Sequence, residues 1–485
     1  MPVAENYALA IQLLAPAIAM IVGGSLILCS SIVLAPCTSH SIDNRRNLFG
    51  AMSFIVLIVA AAFHLSNSGR ILASPTSLGL FRFDSISVAS ERLTLIGGFI
   101  LLLLGWSIGP RRYLAEFYGC FLLLLAGIPL AGASNDLIAM FLSLELVSIP
   151  TYIVLSVAKE ENAGLEAALK YFMLSAFSSC LFLLGLSYLY GIGGSMDLVT
   201  IHQCVTSGEF GKLAMLAILL VLCGLAFRIT AVPFHFYGPD VFEGTSLLVA
   251  ATMSYLPKVA GFVAMIRILD NDGVADAMSS SIVPVLLVIA SVTMCVGNAM
   301  ASAQSNLRRL LGYSSVAHTG YLLLAMATLM LDNGAEQGVL FTYLAAYAAM
   351  TLGVFASLAE IDEAGGQPTT IGSLSGMFYR RPAASIAMTI SLLSLIGLPL
   401  TAGFVAKFQV FIAAGGTDRW DVTLVTLLMA VNAVVAAGYY FRMLSKLYER
   451  DVDMPPLRLW RPSLFLAYSV CAVLTIVWFF QPTSM

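Results

Sequence analysis

The stretch Phe227-Arg228-Ile229-Thr230-Ala231-Val232-Pro233-Phe234-His235 breaks an apolar run that otherwise reads as a helix crossing a membrane. A second stretch, Ile396-Gly397-Leu398-Pro399-Leu400-Thr401-Ala402-Gly403, breaks another. Proline removes a hydrogen bond from a helix interior, and its ring clashes with the preceding turn. In hydrocarbon the freed backbone groups find no water, so such a break survives only where protein or a wet cavity covers it. Paired breaks at matching places in two halves of a chain point to an ion or substrate site. Pro399 follows Pro233 by 166 residues, about five spans. The two units are then spans 4–8 and 9–13, and an odd number of spans per unit inverts the second relative to the first.

The remainder of the chain agrees with a membrane. Of 485 residues, 59% are hydrophobic and 11% charged; soluble proteins carry about 25% charged residues. Apolar runs of about 18 or more residues recur, each long enough to cross roughly 30 Å of hydrocarbon. Fourteen spans are predicted, near 8–35, 47–66, 93–110, 113–132, 136–158, 165–190, 212–234, 244–268, 280–301, 307–330, 337–360, 383–412, 422–447 and 463–481. The expected fold is an all-α polytopic membrane protein with two inverted five-helix repeats, each containing a broken helix. Residues 1–112 supply three N-terminal helices, 113–268 the first repeat, 280–447 the second and 448–485 a final helix. The run Ala8 to Ala35 is read as a span and not a signal peptide, because it is too long and follows Glu5 with no Lys or Arg before it. The interval Ser66 to Arg92 alternates around Leu80 to Asp84 and predicts a hairpin on the membrane surface. Asp197 to Gly211 predicts a short surface helix.

Orientation follows from the basic residues of the loops. Odd-numbered loops carry thirteen: Arg45, Arg46, Arg111, Arg112, Lys159, Arg308, Arg309, Arg380, Arg381, Lys446, Arg450, Arg458 and Arg461. Even-numbered loops carry six: Arg70, Arg82, Arg92, Lys212, Arg267 and Arg419. The odd loops are expected to face the cytoplasm, with both termini on the other side.

Five basic residues remain of the 24, and all fall within apolar segments: Lys170, Arg228, Lys258, Lys407 and Arg442. Among the acids, Glu145 is placed deepest. It lies nine residues past Asp136, about 13–14 Å along a helix and so close to the midplane. A carboxylate there costs several kcal/mol unless it is paired or protonated. Burial favours the neutral acid and an adjacent cation favours the charged one, so such a group changes protonation when a partner moves. A helix–helix ion pair that only fixes packing would equally account for it. Lys258 is too deep to reach the surface easily, Lys407 lies eight residues after Pro399 in the second half of a broken helix, and lysine loses its proton readily when desolvated. Lys170 and Arg442 are nearer the cytoplasmic ends, where a long side chain can extend to the interface. Arg228 stays protonated and can hold a carboxylate but not release a proton. His318 and His235 titrate near neutrality, or serve as hydrogen-bonded structural residues.

Other chemistry is not indicated. The formal charge of −3 and the lack of a basic tract argue against nucleic acid. The eight cysteines form no CxxC pair, and the five histidines show no metal-ligand spacing, so no metal and no cofactor is expected on this chain. With no phosphate loop or dinucleotide fingerprint, any driving redox step must lie on other chains.

Several motifs in order carry a family resemblance: Ala168-Leu-Lys-Tyr-Phe-Met-Leu-Ser-Ala-Phe-Ser-Ser179, Ala231-Val-Pro-Phe-His-Phe-Tyr-Gly-Pro-Asp-Val-Phe-Glu-Gly244, Pro257-Lys-Val-Ala-Gly-Phe262, Tyr313-Ser-Ser-Val-Ala-His318 and Leu398-Pro-Leu-Thr-Ala-Gly-Phe-Val-Ala-Lys-Phe408. They resemble subunit N of the proton-pumping NADH–quinone oxidoreductase, respiratory complex I, strongly over spans 4–13 and weakly at the ends. The resemblance implies fourteen spans, inverted repeats and a proton path. It matches Glu145, Lys170, Lys258 and Lys407 to the family's glutamate and lysines of spans 5, 6, 8 and 12. The family has lysine where this chain has Arg228, which keeps the charge but not the releasable proton. NADH, FMN, iron–sulfur clusters and quinone are implied on partner subunits. The implied partners are antiporter-like neighbours, small helical subunits and the lipid bilayer, in a bacterial inner membrane or, alternatively, a mitochondrial one. Three other readings remain: antiporter-like subunits L or M, a free-standing cation/proton antiporter, and a membrane scaffold that conducts nothing. Subunit L carries a long lateral helix after span 14, whereas this sequence stops at Met485, shortly past that span.

Overall fold

A computed structural model describes residues 3–34, 42–110, 112–157, 162–206, 211–269, 274–331, 337–362, 370–450 and 461–480. Arg111, Lys159 and Arg458 of the loop-charge pattern lie outside the described residues. The first apolar run is two helices, α1 (Val3–Leu13) and α2 (Ala15–Leu34), where one was expected. Pro16 has no N–H to continue the ladder, and the helix breaks just before it. α3 (Ile42–Ala73) extends past the predicted second span at both ends. The predicted hairpin is present but short: Thr76–Leu78 pairs antiparallel with Phe81–Phe83. α4 (Ser85–Ile108) begins well before the predicted start at 93. Asp84 sets that start, its Oδ1 accepting from the Ile86 and Ser87 amides at 3.1 and 3.2 Å.

α5 (Leu114–Ala133), α6 (Leu137–Val157), α7 (Asn162–Gly193), the short α8 (Leu198–Thr206) and α9 (Gly211–Arg228) follow. A turn containing Pro233 leads to α10 (Tyr237–Gly244), then α11 (Leu247–Leu269), α12 (Val274–Ser302), α13 (Leu307–Leu329) and α14 (Gly338–Asp362). The chain continues through α15 (Met377–Arg380), α16 (Pro382–Ile396), α17 (Ala402–Gly415), α18 (Trp420–Tyr448) and α19 (Pro462–Phe480). Among the described residues, twelve helices are each long and apolar enough to cross a bilayer, and Ala15–Ser31 of α2, α16 and α17 are shorter apolar segments. Counted with α16 and α17 as one broken span, this is the polytopic all-α architecture expected.

The chain divides into two compact units. The first comprises residues 1–102, 109–229 and 256–282. In it α5 packs on α2, α3 and α6, and α7 packs on α6, α8 and α9. In lipid no hydrophobic force drives helices together, so small residues that let backbones approach closely carry the packing. A Cβ on Gly24 would come 2.9 Å from the Gly119 carbonyl, and one on Gly127 would come 2.8 Å from that of Ser143. The even-numbered loops gather at one end of this unit. The Asn135 amide donates to the Leu80 carbonyl at 2.8 Å, and Leu137 to Met196 at 3.0 Å. Arg267 was expected in a loop. It is instead buried in the last turn of α11, bidentate to Asp84 at 2.6 and 2.7 Å, with Nε on the Gly132 carbonyl at 2.6 Å. The surface helix α8 is tied to the same end by His202, whose Nε2 lies 3.0 Å from the Ile268 carbonyl. Burial pushes that imidazole below its ordinary pKa.

The second unit comprises residues 103–108, 230–255 and 283–485. Here α14 packs on α16, α17 and α19, and α10 packs on α13. Odd-numbered loops gather at one end. Arg309 bridges Asp240 and Glu243 at 2.8 Å each, and the Ile371 amide donates to the Ser305 carbonyl at 3.1 Å. Within each unit, loops that the charge pattern put on one side therefore meet at one end.

Candidate functional site

Glu145 lies in α6 and Arg228 is the last residue of α9. Arg228 Nη2 donates to Glu145 Oε1 at 2.9 Å, and Ser179 of α7 donates to the same oxygen at 2.7 Å. The other guanidinium arm donates to the Leu144 carbonyl at 2.9 Å and to the Ser148 hydroxyl. The arginine thus holds both the acid and the backbone of the helix that carries it. Close approach of α7 and α9 delivers Ser179. A Cβ on Gly224 would sit 3.0 Å from the Phe182 amide nitrogen, and Ser178 donates to the Gly224 carbonyl at 2.6 Å. An isolated charge would not survive here. A fork-shaped arginine with several fixed donors suits a partly buried carboxylate.

Lys258 of α11 is 1% exposed. Gly261 is three residues further along, on the same helix face. A Cβ there would come 2.5 Å from Ile229 Cγ2 and 3.5 Å from Arg228 Cβ. The face of α11 that carries Lys258 therefore lies against the end of α9 that carries Arg228. Lys170 is placed differently. It pairs with Glu166 of its own helix at 2.9 Å, and its side chain is 46% exposed.

In the second unit the break between α16 and α17 is capped by a lysine. The αL residues Gly397 (φ +90) and Leu400 (φ +71) turn the chain, and Pro399 sits between them. Thr401 caps α17. A helix end leaves carbonyls without intrahelical donors and carries partial negative charge. Lys407 Nζ meets both conditions at the end of α16, donating to the Leu395 carbonyl at 2.8 Å and the Ile396 carbonyl at 2.9 Å. The ammonium also lies 5.4 Å from the centroid of the Tyr321 ring. His318 is buried one helix turn before Tyr321, and its Nδ1 lies 2.9 Å from the Tyr343 hydroxyl. His235 is buried in the Pro233 turn. Arg442, expected as a possible end of the charge line, is largely outward-facing and donates to the Ser302 and Gln304 carbonyls at 3.3 and 2.9 Å. It ties down the end of α12.

Sequence reasoning passed over Ser148, Ser179, Asn298, Tyr321, Tyr343, Asn432 and Tyr439, all of which join these networks. It also missed a buried pair between α3 and α4, His64 Nδ1 with Glu91 Oε2 at 2.7 Å, because span 3 was started two residues beyond Glu91. Isolated asparagines within apolar runs were the available signal for Asn298 and Asn432.

Helices that cross the bilayer, one of them broken and capped by a lysine, together with a carboxylate–guanidinium pair inside, define a membrane protein built to keep charge within the bilayer. The chain belongs to the NADH:quinone oxidoreductase/Mrp antiporter transmembrane family, which matches residues 134–436, and within it to the subunit N group. It is 34% identical over 449 residues to NADH-quinone oxidoreductase subunit N of Anoxybacillus flavithermus, covering 90% of this chain and 88% of that one. To the subunit N of Geobacillus kaustophilus it is 33% identical, covering 88% and 86%. Among solved structures it is similar to a chain of respiratory complex I from Thermus thermophilus with bound aureothin, with a TM-score of 0.79 and 29% identity over 96% of this chain and 98% of that one. The Mrp complex of a Dietzia species shares the fold, with a TM-score of 0.82 at 20% identity over 96% and 95% of the two chains. These relatives are antiporter-like membrane subunits, in keeping with the motif resemblance.

Proposed function

We propose that this chain translocates protons as the subunit N of a complex I–type NADH–quinone oxidoreductase, along Glu145, Lys170, Arg228, Lys258, His318 and Lys407. The observation that carries the reading is the pair of a buried Arg228 and a partly buried Glu145, held at 2.9 Å inside two spans. Ionisable groups at such depth are expensive and usually functional. Quinone reduction on other chains would shift the charge of neighbouring subunits and weaken this pair. Glu145 would then take up a proton, and Lys258, His318 and Lys407 would pass it on. Arg228 supplies a fixed field, since it cannot give up its own proton. Lys170, paired with Glu166 on an outward face, sits at the margin of this path. The helix breaks at Pro233 and Pro399 belong to two inverted five-helix repeats, 113–268 and 280–447. NADH, FMN, iron–sulfur clusters and quinone reside on partner subunits, and the assembly lies in a bacterial inner membrane.

The test is proton uptake by membrane vesicles on NADH addition, with quinone reduction followed in parallel. Glu145→Gln and Lys258→Ala should each lower proton uptake by tenfold or more per electron pair while the complex stays assembled, a barrier change of about 1.4 kcal/mol or more. Normal pumping in both would favour a non-conducting scaffold. Cation transport by the isolated chain in liposomes would favour a free-standing antiporter.

A further inference from the structure

Asn298 of α12 is 1% exposed and makes three side-chain contacts with two other helices. Its Nδ2 donates to the Tyr321 hydroxyl of α13 at 3.0 Å and to Asn432 Oδ1 of α18 at 3.0 Å. Its Oδ1 accepts from the Tyr439 hydroxyl of α18 at 3.1 Å. Asn432 in turn donates to its own helix at the Leu428 carbonyl, 3.0 Å away. A fully connected buried polar network fixes one arrangement of its members. The member with something to position is Tyr321. Its ring lies under the Lys407 ammonium at 5.4 Å and meets the His318 imidazole edge-on at the same centroid distance. Lys407 and His318 therefore touch one aromatic ring and lie no more than twice that distance apart.

We propose that Tyr321, locked by Asn298, is a positioning residue that sets when Lys407 holds its proton. The negative face of the ring favours the charged ammonium, as do the Leu395 and Ile396 carbonyls. When Asn298 releases the hydroxyl, the ring turns away and the ammonium loses that support. The proton then leaves Nζ toward Nε2 of His318, which carries the free lone pair when the Nδ1–H donates to the Tyr343 hydroxyl. This inference rests on the proton-path reading and names the residue that regulates its last lysine.

The experiment uses the whole complex in membrane vesicles and reads the pH profile of proton uptake per electron pair. Tyr321→Leu removes the ring and should move the alkaline limb down by about half to one and a half pH units, the size of a cation–π contact. Tyr321→Phe keeps the ring but not its anchor. It should move the limb less than Tyr321→Leu and by the same amount as Asn298→Leu, and the two changes together should do no more than either alone. An unshifted profile in Tyr321→Leu, beside lost pumping in Lys407→Met, overturns the inference and leaves the proton path standing. Normal pumping in Lys407→Met overturns both. Should Tyr321→Leu fail to assemble, unshifted profiles in Tyr321→Phe and Asn298→Leu overturn the inference.

Discussion

Glu145 in the first unit is held by a counter-charge from another helix, whereas Lys407 in the second is held by carbonyls of the half-helix that precedes its own. Both arrangements offset the cost of charge in hydrocarbon. They differ in what releases the charge. Sliding α6 against α9 separates an ion pair, which is costly because the buried Arg228 then loses its counter-charge. Reshaping the break between α16 and α17 removes a cap, which needs a change in only a few backbone angles. On the proposed path, release of charge in the first unit would follow a shift between helices, and in the second a change in the break itself.

The largest effect is expected where the break itself is attacked. Gly397 has φ +90, and a Cβ there would lie 3.0 Å from Lys407 Cδ and 3.4 Å from its Nζ. Gly397→Ala adds about 1–2 kcal/mol of left-handed strain and dislodges the lysine. Losing hydrogen bonds from a charged donor costs about 1.5–3 kcal/mol, so pumping should fall tenfold or more while quinone reduction persists. Pumping that survives Gly397→Ala would mean that the carbonyl cap is incidental. A smaller effect is expected from Ser179→Ala, which takes one of two side-chain donors from Glu145 Oε1. Arg228 remains, so uptake should drop by only about three- to tenfold, a fraction of the worth of a charge-assisted bond. A loss as large as that of Glu145→Gln would show that Ser179, and not Arg228, is the partner on which the acid depends. The smallest effect belongs to Lys170→Met, since an exposed i,i+4 pair is worth about 0.3–0.5 kcal/mol. A strong loss of pumping in that variant would move Lys170 from the margin to the centre of the path.

The breaks at Pro233 and Pro399, and the burial of Lys258 and Lys407, could be read directly because proline and charge are rare in apolar runs and each has one physical consequence. Most span boundaries could be read for the same reason. The errors at Asp84 and Pro16 fell where a cap or a proline decided the end, while α3 also runs past its predicted span at both ends. Partner choice was not legible. Nothing in the spacing shows that Arg267 reaches Asp84, because long side chains select among helices that only the packing brings near, whereas the Lys170–Glu166 pair, four residues apart on one helix, is open to such a reading. The hydroxyl and amide network around Tyr321 was missed because serine, tyrosine and asparagine carry no charge to mark them within an apolar run.

The central claim is that Arg228 acts on Glu145 through its permanent charge. Two unit charges about 4 Å apart interact by about 4 kcal/mol at an effective dielectric near 20, before desolvation is subtracted. Proton uptake into vesicles on NADH addition, with quinone reduction measured alongside, compares Arg228→Lys with Arg228→Met most directly. The pairing predicts that Arg228→Lys, which keeps the charge, retains much of the pumping. Arg228→Met removes the charge that holds Glu145, and uptake should collapse while quinone reduction continues. Arg228→Met that pumps as well as the unaltered protein would contradict the account.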